Sequence, residues 1–237
     1  MSDEGVQPPV AGAAPEPKRS EPPRRAGSSA GAWALLLACT AVALALDLWT
    51  KSLAFAQVAG APVHVRRADV LSGVPLDALV RDHHPVKVIP SVLEFTLVLN
   101  PGAVFGIGAG QRWFFILFTM VALVFAMVVF ARWTTSRDRA AHIALALLIA
   151  GGLGNLYDRI VYACVRDFIH PLPGVKLPFG IAWPSGSGDV WPYVSNVADL
   201  FLLVGIGALL VCSWRGSSAS KHRARSEPGA APPAPHD

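Results

Sequence analysis

The stretch AGGLGNLYDRI, at residues 150–160, ends one long apolar run of this chain, and SNVADLF, at residues 195–201, begins another. The short stretch VRDF, at residues 165–168, lies between them. Each stretch has one aspartate at or near the end of a segment long enough to cross a membrane: Asp158, Asp167 and Asp199. Charge inside a membrane is costly, so each of these acids is a candidate for a functional site.

The composition is that of a membrane protein. Of 237 residues, 53% are hydrophobic and only 15% are charged, whereas soluble domains are about 25% charged. The net charge of +4 is modest and most of the basic excess flanks apolar segments, which indicates membrane orientation rather than nucleic-acid binding. The 3 cysteines form no CxxC or Cys/His cluster, so no metal site is expected. No cofactor is expected either.

Four apolar runs are long enough to cross a bilayer, which needs about 20 residues. They predict membrane helices at residues 31–56, 112–132, 140–160 and 194–214. The basic residues before the first run could also begin a signal peptide. That run is too long and ends in no small-residue cleavage site, so an anchored helix is predicted. The predicted fold class is a membrane all-α core of four transmembrane helices.

Two long segments, 57–111 and 161–193, connect these runs on one side of the membrane. Within the first, SVLEFTLVLN (residues 91–100) alternates in polarity and is rich in β-formers, which predicts a strand. NPGAVFGIGAG (residues 100–110) follows, and its Gly and Pro indicate a tight backbone. The second segment is predicted to be mostly loop.

The basic residues predict the orientation. The two tails, 1–30 and 215–237, are rich in Pro, Ala and charge and are predicted to be disordered. Together with the loop at 133–139 and the flanking Arg132, they hold more than half of the 20 lysines and arginines. The positive-inside rule therefore predicts that both termini are cytoplasmic.

Polar residues then cluster near the outer ends of three predicted helices. Helical spacing places each group on one face: Asp47 with Lys51, Asn155 with Asp158 and Arg159, and Asn196 with Asp199. Ser195 is a candidate cap for the last helix. Lys51 has two equal alternatives, a site role or a snorkelling position at the interface, whereas the short side chain of Asp47 cannot snorkel far.

The available side chains restrict the chemistry. The sequence has no HExxH zinc motif, no GxSxG elbow, and no serine paired with a plausible intramembrane His or Lys. Carboxylates and amides remain. Two aspartates that share a site cannot both ionise cheaply, so one keeps a proton while the other acts as general base on a water, as in aspartic proteases.

Five motifs, in order, resemble those of the lipoprotein signal peptidases, also named signal peptidase II. They are DLWTK (47–51), NPGAVFG (100–106), GNLYDR (154–159), VRDF (165–168) and NVAD (196–199). The resemblance implies a four-helix aspartic protease of the bacterial inner membrane, with a small extracytoplasmic β-element. We expect a monomer, although the sequence does not fix the oligomeric state. The resemblance also implies cleavage of a diacylglyceryl-modified prolipoprotein before the lipidated cysteine, at the extracytoplasmic face, among membrane lipid and without nucleic acid.

The same resemblance assigns roles to residues. The catalytic pair is Asp167 and Asp199. The positions implied to support the site or place the substrate are Asp47, Lys51, Asn100, Gly102, Asn155, Asp158, Arg159 and Asn196. The chain departs from the family pattern in its longer outer segments, its added tails and Pro101.

Three alternatives compete with this interpretation. A proton-coupled transporter would also use intramembrane acids, but it would distribute them through the depth of the membrane. A scaffold protein would explain the tails and loops but not the paired Asn and Asp motifs. The string GSGD, residues 186–189, matches the GxGD motif of presenilin-type proteases, but it lies in a polar loop between two prolines.

Overall fold

The computed structural model describes residues 24–80, 82–102, 112–183 and 186–226, with side chains up to Arg215 in the last range. The predictions for residues 1–23, 103–111 and 227–237 lie outside the described residues. Within them, the chain forms a helical bundle with one small antiparallel sheet. The predicted fold class is confirmed.

Four helices are long and apolar enough to cross a membrane. They are α1 (Ala30–Gln57), α4 (Arg112–Val128, extended by a π-helical turn Val129–Trp133), α5 (Arg139–Val161) and α6 (Val197–Ser226). Two short helices, α2 (Arg67–Leu71) and α3 (Leu76–Leu79), lie between α1 and the sheet. Helix α5 is the most buried of the four and packs against the other three.

Close contact between α5 and α6 depends on glycine. An added Cβ at Gly151 would lie 2.5 Å from the Ala198 carbonyl oxygen, and one at Gly205 would lie 2.8 Å from the Ala144 carbonyl oxygen. Backbone atoms cannot move aside as a flexible side chain can, so these two positions exclude any larger residue. The small residues let the helices approach closely along their length.

The sheet consists of β1 (Val86–Ile89), β2 (Leu93–Asn100) and β3 (Val165–Pro171), in that order. Strand β2 corresponds to the strand predicted at residues 91–100. Its pairing with β3 sets Val98 opposite Asp167. The segment 161–193, predicted to be mostly loop, also contains β3, because β2 and the chain before α6 supply hydrogen-bond partners that the local sequence does not reveal.

The segment that enters α6 is tied to β3. Ser195 and Ile169 exchange two backbone hydrogen bonds of 2.8 Å, and Phe168 N also donates to the Ser195 carbonyl at 2.8 Å. Ser195 therefore extends the sheet and does not cap α6. This pairing brings the start of α6 beside the middle of β3.

Both tails are more ordered than predicted where the structure describes them. Ala26 N donates to the Thr134 carbonyl at 3.0 Å, and Ser136 N donates to the Arg24 carbonyl at 2.8 Å. The chain before α1 therefore pairs with the turn between α4 and α5. Helix α6 continues to Ser226, because no proline interrupts the sequence before Pro228.

A matched pair of glycines on α6 tests the helix packing. We expect Gly205→Ala to lower the stability by about 1–3 kcal/mol, because the new methyl group overlaps the backbone of α5. Gly207 has no atom within 4 Å of an added Cβ. Gly207→Ala should therefore leave the thermal unfolding midpoint in detergent unchanged or slightly higher. Equal loss of stability in both variants would contradict the packing.

Candidate active site

Asp167 lies on β3 and is only 2% exposed. Its two carboxyl oxygens accept hydrogen bonds from amides: Asn196 Nδ2 at 2.6 Å and Asn100 Nδ2 at 3.1 Å. Burial, and next the negative charge of Asp199, raise the pKa of Asp167 to about 7, although both amide hydrogen bonds act in the opposite direction. Asp167 can therefore hold a proton near neutral pH.

Asp199 lies in the first turn of α6, where Asn196 is the N-cap. The two residues form a reciprocal pair, with Asn196 N donating to Asp199 Oδ2 and Asp199 N donating to Asn196 Oδ1, both at 3.1 Å. This is the geometry of a capping box, with Asn and Asp in place of the usual residues. Asn196 thus caps α6 and contacts both acids.

Asn155 completes the link between the acids. Its Nδ2 donates to Asp199 Oδ1 at 2.7 Å, and its Oδ1 accepts from Asn196 Nδ2 at 3.1 Å. The structure therefore brings Asp167 and Asp199 into one hydrogen-bonded network through two amides. Such groups orient carboxylates without adding a charge.

Beneath this network lies a buried charge cluster. Lys51, Asp47 and Asp158 are each 0% exposed. Lys51 Nζ lies 2.8 Å from Asp47 Oδ2, 3.6 Å from Asp158 Oδ2 and 3.1 Å from Asn155 Oδ1. The snorkelling alternative for Lys51 is wrong, because these three oxygens replace water around the ammonium group.

Arg166 is a member of this cluster that the sequence analysis missed. Its backbone N donates to Asp158 Oδ2 at 3.0 Å, and its guanidinium lies 2.9 Å from Asp158 Oδ1. Asp158 is thereby compensated by two cations, whereas Asp167 accepts hydrogen bonds from neutral amides. A buried acid at a helix end needs a cation. The arginine in VRDF could have been predicted from the sequence as the partner of Asp158.

The two remaining predicted positions, Arg159 and Gly102, contact the amides that bind the two acids. Arg159 donates to the Asn155 carbonyl at 3.2 Å and lies over the ring of Phe115. Gly102 N donates to Asn100 Oδ1 at 2.8 Å. Gly102 has a φ of +102°, and an added Cβ would lie 2.6 Å from the same ring, so glycine is required there.

Asp167 and Asp199, together called the dyad below, face an open pocket with a mainly apolar wall. Besides the acids, Asn100, Asn155 and Arg159, the pocket is lined by Val165, Trp191, Tyr193, Val194, Ser195, Leu202 and Leu203. The two leucines lie on α6, and Leu203 is exposed on the surface that a bilayer would cover. The aromatic residues come from the long loop before α6, and nothing in their spacing identified them.

The GSGD string contributes nothing to this pocket. Asp189 pairs with Lys176 at 2.8 Å and accepts from the Ser187 hydroxyl at 3.0 Å within the outer loop. The described residues also contain no group of three or more His, Cys, Asp or Glu side chains that could hold a metal.

A family model described as Signal peptidase (SPase) II matches residues 39–215. The chain belongs to the signal peptidase II family. Membership makes it a peptidase of the aspartic type and places it among the enzymes that process lipoprotein signal peptides. The resemblance seen in the five sequence motifs is confirmed, and so is a multi-pass bacterial membrane protein.

Known relatives support this membership. The lipoprotein signal peptidase of Desulfitobacterium hafniense (strain DSM 10664 / DCB-2) is 34% identical over 127 residues, which cover 53% of this chain and 72% of the relative. The lipoprotein signal peptidase of Bifidobacterium longum subsp. infantis is 37% identical over 164 residues, which cover 69% of this chain and 79% of the relative. A bacterial membrane enzyme, solved by the in meso method at 2.3 Å resolution, has the same fold, with a TM-score of 0.55. The two chains are 22% identical, and the match covers 83% of this chain and 94% of that enzyme.

Substitutions in the buried charge cluster test its contribution to stability. Lys51→Met leaves the Asp47 carboxylate buried without its cation, so we expect a loss of about 3–5 kcal/mol. The double variant Lys51→Met/Asp47→Asn removes both charges and should recover part of that loss, because the introduced amide oxygen can still accept from Ala198 N. Thermal unfolding in detergent measures both, and a double variant less stable than the single one would contradict the pairing.

Proposed function

We propose that this enzyme cleaves diacylglyceryl-modified prolipoproteins before the lipidated cysteine, with Asp167 and Asp199 activating a water. One observation carries the proposal. Two carboxyl groups from distant parts of the chain share one amide network at the wall of an apolar pocket, and one of them has a pKa of about 7. Hydrolysis of an amide by general acid–base catalysis needs one protonated and one ionised group, and a pair of carboxyl groups that shares a single proton supplies both.

The proposed reaction uses both forms of the dyad. The ionised carboxylate takes a proton from a water, whose oxygen attacks the scissile carbonyl carbon, while the protonated partner donates to the carbonyl oxygen. The gem-diol intermediate then returns one hydroxyl proton to the ionised acid as the C–N bond breaks, and the leaving amine takes the proton of the other acid, so the dyad ends with the single proton it began with. The proton belongs to the pair, since strongly coupled acids titrate as a unit.

Other nucleophiles are poorly placed for this task. Burial, and next the charge of Asp158, raise the pKa of the Cys164 thiol to about 12, so Cys164 is not a thiolate at neutral pH. Asp158 is occupied by Arg166 and Lys51. These contacts favour a supporting role for Asp158, Asp47 and Lys51 and support the proposal that the reaction takes place at Asp167 and Asp199.

The pocket is suited to a lipidated substrate. Leu202 and Leu203 extend its apolar wall onto the outside of α6, so a substrate held in the bilayer could reach the dyad sideways. Asn100 and Arg159 line the polar side, where they can place the peptide backbone. The transporter alternative fits less well, because the span carboxylates Asp47, Asp158 and Asp199 all join this one network.

The proposal includes a place for the reaction. The basic residues beside the starts of α1 and α5 favour the cytoplasm for that end of the bundle. The dyad then lies at the extracytoplasmic face of the inner membrane, where a monomer would suffice for catalysis because this chain supplies both acids.

Charge-neutral substitutions test the dyad. We expect Asp167→Asn and Asp199→Asn each to abolish cleavage of a diacylglyceryl-prolipoprotein by the purified enzyme, because each removes the shared proton site. Asp189→Asn is the matched control, since Asp189 lies in the outer loop and lines no part of the pocket. The measurement is the rate of signal-peptide release. Wild-type rates in either dyad variant, at equal expression and thermal stability, would refute the assignment.

The pH dependence tests the shared proton. The pKa of Asp167 is raised to about 7, so the dyad keeps its proton below that pH and loses it above. We therefore expect kcat/KM to fall as pH rises through about 7. Asn100→Ala removes a hydrogen bond that favours the ionised form of Asp167, which raises this pKa further, so the fall should move to higher pH. A shift to lower pH would contradict the role of Asn100, and Asp189→Asn should not shift the profile.

A further inference from the structure

Arg166 precedes Asp167 in the sequence but lies on the other face of the sheet. Successive side chains of a strand point to opposite faces. Asp167 faces the amides of the active site, whereas Arg166 faces the ends of α1 and α5. Its guanidinium carbon lies 4.3 Å from the ring centroid of Tyr162 and 6.0 Å from that of Phe55. Arg166 is 5% exposed, and it acts on the dyad only through intervening groups.

Asp158 is the group that connects Arg166 to the dyad. Arg166 Nη2 lies 2.9 Å from Asp158 Oδ1, and Arg166 N donates to Oδ2 at 3.0 Å. Lys51 Nζ is more distant from the same carboxylate, at 3.6 Å, and it also donates to Asn155 Oδ1 at 3.1 Å. Arg159 interacts electrostatically more strongly with the dyad acids than with Asp158. Arg166 is thus the closest cation to Asp158, and it leaves the other two cations to the groups nearer the dyad.

The charges around the dyad balance when the pair holds one proton. Three cations and four acids, together called the site charges below, are Lys51, Arg159 and Arg166, and Asp47, Asp158, Asp167 and Asp199. Asp47 and Asp158 are ionised, because both oxygens of each carboxylate accept from N–H groups. If both dyad acids also ionise, four negative charges face three positive charges, and one shared proton cancels the excess. A net charge is costly where water is excluded, so the neutral state is favoured.

Other titratable groups on the elements packed here do not change this count. They are His64, Arg67, Glu94, Arg112, Tyr162, Cys164, His170 and Tyr193. Glu94 and His170 pair with each other at 2.9 Å, and Arg112 lies 5.0 Å from the centroid of the neighbouring indole ring. Burial raises the pKa of the Cys164 thiol to about 12, so the thiol is uncharged. His64 and Arg67 are exposed to solvent, which screens their charges.

We propose that Arg166 is a positioning residue that keeps the dyad at a single proton by holding the charge of Asp158. This role rests on the proposed function, because it concerns the proton that the dyad uses. Loss of the guanidinium leaves the site charges negative by one unit, and a second proton on the dyad restores neutrality. A dyad with two protons has no carboxylate to activate water. The VRDF motif thus supplies one acid of the dyad and also the cation that sets its protonation.

Variants with opposite charge effects test the proposal. The measurement is kcat/KM against pH for a diacylglyceryl-prolipoprotein with the purified full-length enzyme. Arg166→Gln removes a positive charge, so the dyad binds protons more tightly and the fall in kcat/KM should move up by about one pH unit. Asp158→Asn removes a negative charge and should move the fall down by a similar amount. The double variant Arg166→Gln/Asp158→Asn removes both charges and should return the profile to that of the wild type.

Two further variants serve as controls. Arg166→Lys keeps the positive charge, so its profile should stay close to that of the wild type whatever its thermal stability. Arg67→Gln is the matched control for charge, since Arg67 is exposed and donates to the Ile160 carbonyl at the end of α5. It removes a positive charge outside the site charges and should leave the profile unshifted.

The signs of the shifts separate this role from a purely structural one. Opposite shifts in the two single variants, cancelled in the double variant, support the proposal, because a loss of packing lowers kcat or stability without this pattern. An unshifted profile in folded Arg166→Gln, or shifts of the same sign in both single variants, would overturn it. If Arg166→Gln does not fold, the other two variants decide: a downward shift in Asp158→Asn that the double variant cancels supports the proposal, and any other result overturns it.

The same assay distinguishes failure of this role from failure of the proposed function. Unshifted profiles together with an inactive Asp167→Asn would refute only the role of Arg166. Cleavage by Asp167→Asn at the wild-type rate would refute the dyad itself.

Discussion

The buried ammonium group of Lys51 is the constraint on which the rest of the structure depends. An ion of this kind loses water on burial and must find acceptors of good geometry. Asp47 on its own helix, and Asn155 and Asp158 on α5, provide them. The second oxygen of Asp47 accepts from Ala198 N on α6 at 2.8 Å. One charge cluster therefore fixes α1, α5 and α6 together directly beneath the two acids.

The same ammonium group decides how the amides point. Lys51 can only donate, so the atom of Asn155 that faces it must be the oxygen. The Nδ2 group of Asn155 then faces Asp199, and the same Oδ1 that accepts from Lys51 also accepts from Asn196. Asn196 in turn directs its own hydrogens at Asn155 and Asp167. The orientation of both carboxyl groups thus follows from a lysine that touches neither of them.

The sequence predicts the parts of this arrangement that are local. Apolar runs identify the four spans, and spacings of three and four place Asp47 with Lys51 and Asn196 with Asp199 on common helix faces. The position of Asp167 on a strand is not local. It depends on the pairing of β2 with β3 and of Ser195 with Ile169, where partners distant in the chain meet. The burial of Lys51 escaped prediction for the same reason, since its acceptors Asn155 and Asp158 lie on another helix.

Burial acts differently on the aspartates, and the difference follows from their partners. Asp158 lies at the end of α5 against Arg166 and Lys51, so its negative charge is compensated where it stands. Asp167 accepts hydrogen bonds from Asn196 and Asn100, which offer dipoles but no charge. A second negative charge beside Asp199 is then costly, and the pKa of Asp167 rises. A cation in hydrogen-bond contact with Asp167 would hold the acid ionised and remove the proton that hydrolysis needs. The amides fix the geometry of the pair without placing a cation in hydrogen-bond contact with Asp167, which is consistent with Asn rather than Lys or Arg contacting both acids.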